Sequence, residues 1–222
     1  MDIPHRMITV IVPWRSLNEP SREQSWRVVK DYWLTNHPEF AVYAVDAGGM
    51  PFSRGASINQ GVQKHVKAGE TFIIADADVL PVVSQVRKAI ELAREAPGMV
   101  QPFDNYIPLN KDDTAVVWRT GDALTFKNRP TAPWICVSAV LVMTRESFEL
   151  AGGFDERYRG WGYEDSAFDL MMARNAGLRR LVPGPAWHLS HPGVERTLLE
   201  HACHDQNLRL WTELQEKFPY PK

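Results

Sequence analysis

Thr71-Phe-Ile-Ile-Ala-Asp76-Ala-Asp78 joins two signals that together set the fold. Thr71 to Ala75 is short, apolar and rich in β-branched side chains, the pattern of a strand buried on both faces. Two carboxylates follow at once on a tight turn. In open α/β sheets ligands bind beyond the carboxyl ends of the strands. A carboxylate pair placed there suits a hard divalent cation and, through it, a diphosphate. Taken alone, Asp-x-Asp also fits two solvated turn residues, so the chain on either side has to decide.

Upstream, Ile8 to Val12 reads as a buried strand stopped by Pro13. Ser21-Arg-Glu-Gln24 has capping-box spacing, with Trp26, Val29 and Trp33 at helical intervals and Pro38 closing the helix. Ala41 to Val45 is a second strand, ending at Asp46 and Gly48-Gly49; Ser57 to Lys67 is a predicted helix stopped by Gly69. Downstream of Pro81, Val82, Val86, Ala89, Ile90 and Ala93 share one helical face. Strand and helix thus alternate through the first hundred residues, which argues for a parallel α/β sheet. Residues 101–135 lack periodicity and read as a functional loop. Ala139 to Met143 is a further strand, Glu164 to Asn175 a helix ending before Gly177, and Leu198 to Phe218 a C-terminal helix with Thr197-Leu-Leu-Glu200 as its capping box.

The composition is that of a folded chain. Of 222 residues 44% are hydrophobic and 23% charged, with 14 Gly and 16 Pro, which excludes disordered, collagen-like and coiled-coil classes. The formal charge of −2 gives no nucleic-acid footprint at the level of the whole chain. No apolar run approaches the ~18 residues a membrane span needs, and the polar Met1 to Arg6 with Pro13 close behind is no signal peptide. The expectation is one domain over residues 1–222, soluble and cytoplasmic, with no membrane partner. Cys136 and Cys203 fit free thiols in a reducing compartment, a single disulfide being the alternative.

Three further segments carry chemistry. Gly152-Gly-Phe-Asp-Glu-Arg-Tyr-Arg-Gly-Trp-Gly-Tyr-Glu-Asp165 combines glycines, aromatic faces suited to sugar rings, and carboxylates at a helix start, where the dipole favours negative charge. A lone Gly-Trp-Gly would fit a plain aromatic-capped helix start; the full run is more specific. Trp187-His-Leu-Ser-His191 places two imidazoles three residues apart beyond a strand, open to metal ligation or to one core and one surface histidine. Arg54-Gly-Ala-Ser-Ile-Asn59-Gln-Gly61 puts a guanidinium at a helix start, suited to phosphate or to plain exposure.

In this order the segments resemble those of GT-A-fold glycosyltransferases, most of all the group of β-1,4-galactosyltransferases and chondroitin-polymerase-type domains, over about residues 8–192. Val10-Ile-Val-Pro-Trp-Arg15 is similar to the family's opening strand, Arg54, Asn59 and Gly61 to its Arg-x-x-x-x-Asn-x-Gly element, Asp76-Ala-Asp78 to its Asp-x-Asp, and Trp161-Gly-Tyr-Glu-Asp165 to its Trp-Gly-x-Glu-Asp. The resemblance implies a GT-A (Rossmann-like) domain with a mixed, mainly parallel sheet flanked by helices. Its nucleotide-binding half would cover about 8–100, its acceptor and catalytic half about 101–192, and a C-terminal helix about 197–218.

The resemblance also implies an inverting transfer from a nucleotide sugar, a UDP-sugar, with Mn²⁺ or Mg²⁺. Asp165 would be the general base and Glu164 would contact a sugar. Pro13, Arg15, Asp46, Arg54, Asn59, Asp76, Trp161 and Gly162 would bind the nucleotide sugar. Asp78, His191 and His188 would bind the metal, His188 standing where some members carry Met. Tyr163 departs from the family, replacing a frequent Gly, as do Ser166 and the Pro13-Trp14 pair. Residues 101–135 or 156–163 are candidates for a lid. The acceptor class stays open among a saccharide, a protein, a small molecule and a modified DNA base, in a setting that fits a bacterial or phage pathway. A nucleotidyltransferase is the rival reading, weakened because Pro13-Trp14-Arg15-Ser16-Leu17 has no glycine; an inactive sugar-binding protein is the other.

Overall fold

Strands and helices alternate through the first hundred residues, as the apolar spacing predicts. The computed structural model describes residues 8–16, 18–133, 136–192 and 198–221. Along the chain run β1 (Thr9–Pro13), α1 (Pro20–Asn36), β2 (Ala41–Val45), α2 (Arg54–His65), β3 (Thr71–Ala75), β4 (Val79–Pro81), α3 (Val83–Glu95) and β5 (Met99–Gln101). Then come β6 (Asn105–Pro108), α4 (Lys111–Thr120), a 3-10 turn (Leu124–Phe126), β7 (Val140–Thr144), α5 (Arg145–Ala151), α6 (Glu164–Asn175), β8 (Arg180–Leu181), β9 (Pro185–His188) and α7 (Leu198–Lys217).

The main sheet has six strands in the order β2-β1-β3-β7-β5-β8. Only β7 runs against the rest, pairing antiparallel with both β3 and β5. Alternate residues of each strand feed opposite faces. Val10, Val12, Ile73, Ala75, Val140 and Val142 pack toward α1 and α3, while Ile11, Phe72, Ile74, Leu141 and Met143 pack toward α2, α5 and α6. With β1, β2 and β3 parallel, their carboxyl ends bring Arg15, Asp46 and Asp76 to one edge. β7 enters that edge from the other direction: the Asp76 N–H donates to the Ala139 carbonyl at 2.7 Å.

A second, three-stranded sheet, β4-β9-β6, was not expected from the sequence. Its strands are three or four residues long, too short for a period-2 signal. It pairs Val79 with His188 and lets the Leu189 N–H donate to the Asp78 carbonyl at 2.8 Å.

Several predicted boundaries move for local reasons. α1 begins at Pro20, not at a Ser21 box, because Pro lacks an N–H and the Glu19 carboxylate accepts from Ser21 and Arg22 N–H. α2 begins at Arg54, where Ser53 caps it by accepting from Ala56 N–H; it ends at His65, leaving Gly69 in the next turn. Residues 101–135 are not a loop throughout. Asn110 caps α4 through Asp113 N–H, Asp112 and Asp113 complement its dipole, and Gly121 ends it at φ 71°. The strand predicted from Ala139 starts at Val140, since Ala139 holds φ 69°. The capping box at Thr197 lies outside the described residues. Cys136 and Cys203 are free thiols. Among the described residues no helix is long and apolar enough to cross a membrane.

Candidate active site

The short sheet assembles the first half of the site. Asp78 follows β3, His188 ends β9 and His191 lies just beyond it; their ligand atoms all fall within 4.8 Å of one another. His191 Nε2 is 3.3 Å and His188 Nε2 3.8 Å from Asp78 Oδ2. Burial opposes the charge on Asp78, but the facing imidazoles of His188 and His191 outweigh it and hold the carboxyl well below its ordinary range. Asp78 in turn raises the pKa of His191.

His191 Nδ1 sits 3.0 Å from the Pro192 carbonyl. A neutral imidazole donating there turns its Nε2 lone pair toward Asp78, the orientation of a metal-ligating histidine. Two acceptors facing each other at this range need a cation or a proton between them. One carboxylate with two imidazoles is a donor set that fits Mn²⁺. Tyr106 of β6 stacks on the His188 ring with centroids 5.7 Å apart. Burial, then the nearby Cys136, Asp78 and Asp76, raises its phenol well above the usual value.

The second half is a carboxylate row at the start of α6. Arg54, the first residue of α2, donates from Nε and Nη2 to Asp76 Oδ1 at 3.0 and 2.8 Å. Burial opposes its charge, while Asp76, Glu164 and Asp165 together raise its pKa. Asp76 is itself raised, mainly by burial. Asp165 accepts from the Ser138 hydroxyl at 3.1 Å and from Ser166 N–H at 2.8 Å. Glu164 is pushed up to about 7 by burial and by the Asp165 charge, so near neutrality it holds a proton part of the time. The row therefore sets a carboxyl that accepts two hydrogen bonds beside one able to donate.

The remaining predicted residues hold the frame. Arg15 grips Asp46 through two hydrogen bonds of 2.7 and 2.6 Å and donates to the Gly49 carbonyl at 2.8 Å, at the end of β1 where Pro13 is buried. Asn59 holds the glycine-rich loop. Its amide donates to the Phe154 carbonyl at 2.8 Å and to Glu156 at 2.9 Å, and accepts from Phe154 N–H at 2.9 Å. Trp161 is 61% exposed and stacks on His204 of α7, centroids 5.3 Å apart. At Gly162, φ 112°, a Cβ would come 3.1 Å from the His204 ring.

Sequence reasoning missed Tyr106, Ser138 and Asn207. Asn207 of α7, 1% exposed, accepts from Arg159 N–H and donates to the Arg159 and Trp161 carbonyls, clasping the glycine-rich loop. A buried polar residue on a helix was the only available signal. Tyr163 holds φ 70° at the cap of α6, a conformation more natural to glycine.

This architecture, a mixed sheet whose carboxyl edge carries an acidic turn, is the GT-A glycosyltransferase fold. Residues 123–184 match a family described as the N-terminal domain of galactosyltransferase. No curated protein matches the chain in sequence. The catalytic domain of Drosophila β-1,4-galactosyltransferase 7, solved with xylobiose, aligns over 88% of this chain and 78% of its own at 16% identity and TM-score 0.52. A mutant of that Drosophila enzyme in complex with manganese, UDP-Gal and xylobiose aligns over 80% of this chain at 18% identity and TM-score 0.49, and this chain spans 64% of its length. Glucosyl-3-phosphoglycerate synthase from Mycobacterium tuberculosis, solved with Mn²⁺, UDP-glucose and phosphoglyceric acid, aligns over 98% of this chain and 82% of its own, with 16% identity and TM-score 0.49.

Proposed function

We propose that the chain is a metal-dependent, inverting glycosyltransferase that moves a sugar from a UDP-sugar to an acceptor hydroxyl. The observation that carries this reading is the meeting of Asp78, His188 and His191 within 4.8 Å at the edge that also holds Arg54, Asp76 and Asp165. When bound by Asp78, His188 and His191, Mn²⁺ or Mg²⁺ supplies Lewis-acid stabilisation of a departing diphosphate. Asp165, oriented by Ser138, takes the acceptor proton as that oxygen attacks the anomeric carbon and the nucleotide diphosphate leaves with its bonding pair. Glu164, part protonated, donates to a sugar hydroxyl. Arg54 keeps Asp76 in place beside the ribose or donor sugar, while Pro13 and the Arg15–Asp46 pair border the nucleotide. Trp161 and Gly162 border the donor sugar. Residues 8–100 then serve mainly the nucleotide, and 101–192 the acceptor and the chemistry.

Calorimetry with UDP, with Mn²⁺ and with EDTA, on wild type and Asp78→Ala, tests the donor half. The expected result is UDP binding that requires Mn²⁺ and disappears in the variant. Equal binding in EDTA, or in Asp78→Ala, overturns the assignment of the metal site.

A further inference from the structure

Between α6 and α7 lies a cavity of about 430 Å³, lined by Val137, Ser166, Asp169, Trp211, Gln215 and Tyr220 among others. The volume is that of a small-molecule site. Its walls adjoin the proposed base. Ser166 follows Asp165 in α6, and Asp169 lies one turn on, about 40° around the helix from Asp165. Val137 precedes Ser138, whose hydroxyl donates to Asp165. Residues 139, 138 and 137 lead from Asp76, whose N–H donates to the Ala139 carbonyl, past Ser138 on Asp165, to Val137 in the cavity wall. From the metal cluster outward the carboxylates therefore run Asp78, Asp76, Asp165, Asp169. An inverting displacement brings the acceptor oxygen in opposite the leaving diphosphate, so the acceptor belongs on the Asp169 side of the base.

The lining specifies what fits. Trp211 and Tyr220 present aromatic faces, which pack against the C–H faces of sugar rings. The Ser166 hydroxyl and the Gln215 amide make no side-chain hydrogen bond to the described residues, and each can both donate and accept, as sugar hydroxyls require. Asp169, 6% exposed, is fixed by the Tyr220 hydroxyl at 2.8 Å and by Arg179 at 3.3 Å. No residue lining the cavity is basic. A phosphorylated acceptor or a nucleic-acid backbone would find no basic side chain in the lining, Arg179 being engaged by Asp169, which disfavours both.

We propose that this cavity is the acceptor subsite and that its occupant is a neutral saccharide, its ring on Trp211, its outer hydroxyls on Gln215 and Ser166, and its reacting hydroxyl turned to Asp165. The proposal rests on the glycosyltransferase reading and names its acceptor class. The test titrates wild type, Trp211→Ala and Gln215→Ala with methyl glycosides of glucose, galactose, xylose and N-acetylglucosamine, with and without UDP and Mn²⁺, followed by saturation-transfer NMR. Circular dichroism establishes that each variant is folded, and Gln215, exposed on α7, keeps the test open should Trp211→Ala not fold. At least one glycoside should bind wild type, and the variants should weaken it by roughly tenfold. Unchanged binding in a folded variant, or no glycoside binding to wild type, overturns the subsite. UDP binding to wild type is read separately: its absence overturns the donor reading, while the glycoside titration still decides the cavity.

Discussion

Glu164 and Asp165 stand side by side at the positive end of α6, yet they are held differently. Glu164 is raised to about 7, whereas Asp165 is anchored by the Ser138 hydroxyl and its neighbour's N–H. Asp165→Asn keeps the size and the contact to Ser138 but cannot take a proton. Single-turnover assays should show transfer reduced by about a hundredfold or more with UDP affinity little changed. Near-normal turnover would move the base to another group. At this scale the sequence singled out residues but not what each of them touches. Arg54, Asn59 and Gly61 were legible as one spaced element, but the structure divides their labour. Arg54 faces Asp76, Asn59 clasps Phe154, and Gly61 lets the α2 backbone settle on the Ile11 and Val45 side chains. Spacing along a helix says which residues share a face and is silent on what that face meets.

Close approach decides the packing of α2. A Cβ on Gly61 would lie 2.7 Å from Ile11 Cγ2 and 3.1 Å from Val45 Cγ2, both in the sheet core. Gly61→Ala should therefore destabilise by about 1–3 kcal/mol despite its better helix propensity, read as a lower denaturant midpoint at constant m. An unchanged or raised midpoint would mean α2 shifts away from β1 without penalty. Long elements were legible for the reason this one was: β1, β2 and β3 are five-residue strands with apolar runs, and α6 matches its predicted span of Glu164–Asn175. The β4-β9-β6 sheet was illegible because each strand is too short to show a period and its partners are distant in sequence. That is also why Asp78 and the two histidines could be joined in advance only through a family likeness.

The molecule as a whole carries a buried base that opposes acid. His37 closes α1, is 0% exposed, stacks on Phe40 with centroids 4.5 Å apart, and has no hydrogen-bond partner on either ring nitrogen among the described residues. Burial, aided by Arg87, lowers its pKa from 6.5 to about 4, against a smaller opposing effect of Glu39. The unfolded chain binds the proton first, so stability falls as pH drops from about 6.5 toward 4, by roughly 3 kcal/mol from this group. His37→Phe keeps an aromatic ring and removes the titration. Urea melts of wild type and variant should diverge as pH falls through that window and run parallel above it. Parallel curves throughout would mean that His37 is protonated in the fold.

The pairing of Asp78 with His188 and His191 also dates the site during synthesis. A chain still on the ribosome with its first hundred residues exposed holds all of β1 to β3 and the acidic turn, yet neither imidazole. The three-part cluster comes into being only after β9 has emerged and zipped onto β4. By then Arg54, Asp76 and Asp165 are already in hand. The clasp of Asn207 on the glycine-rich loop arrives later still. The order of emergence thus sets the order in which the parts can meet, with the β1–β3 edge first and the clasp last.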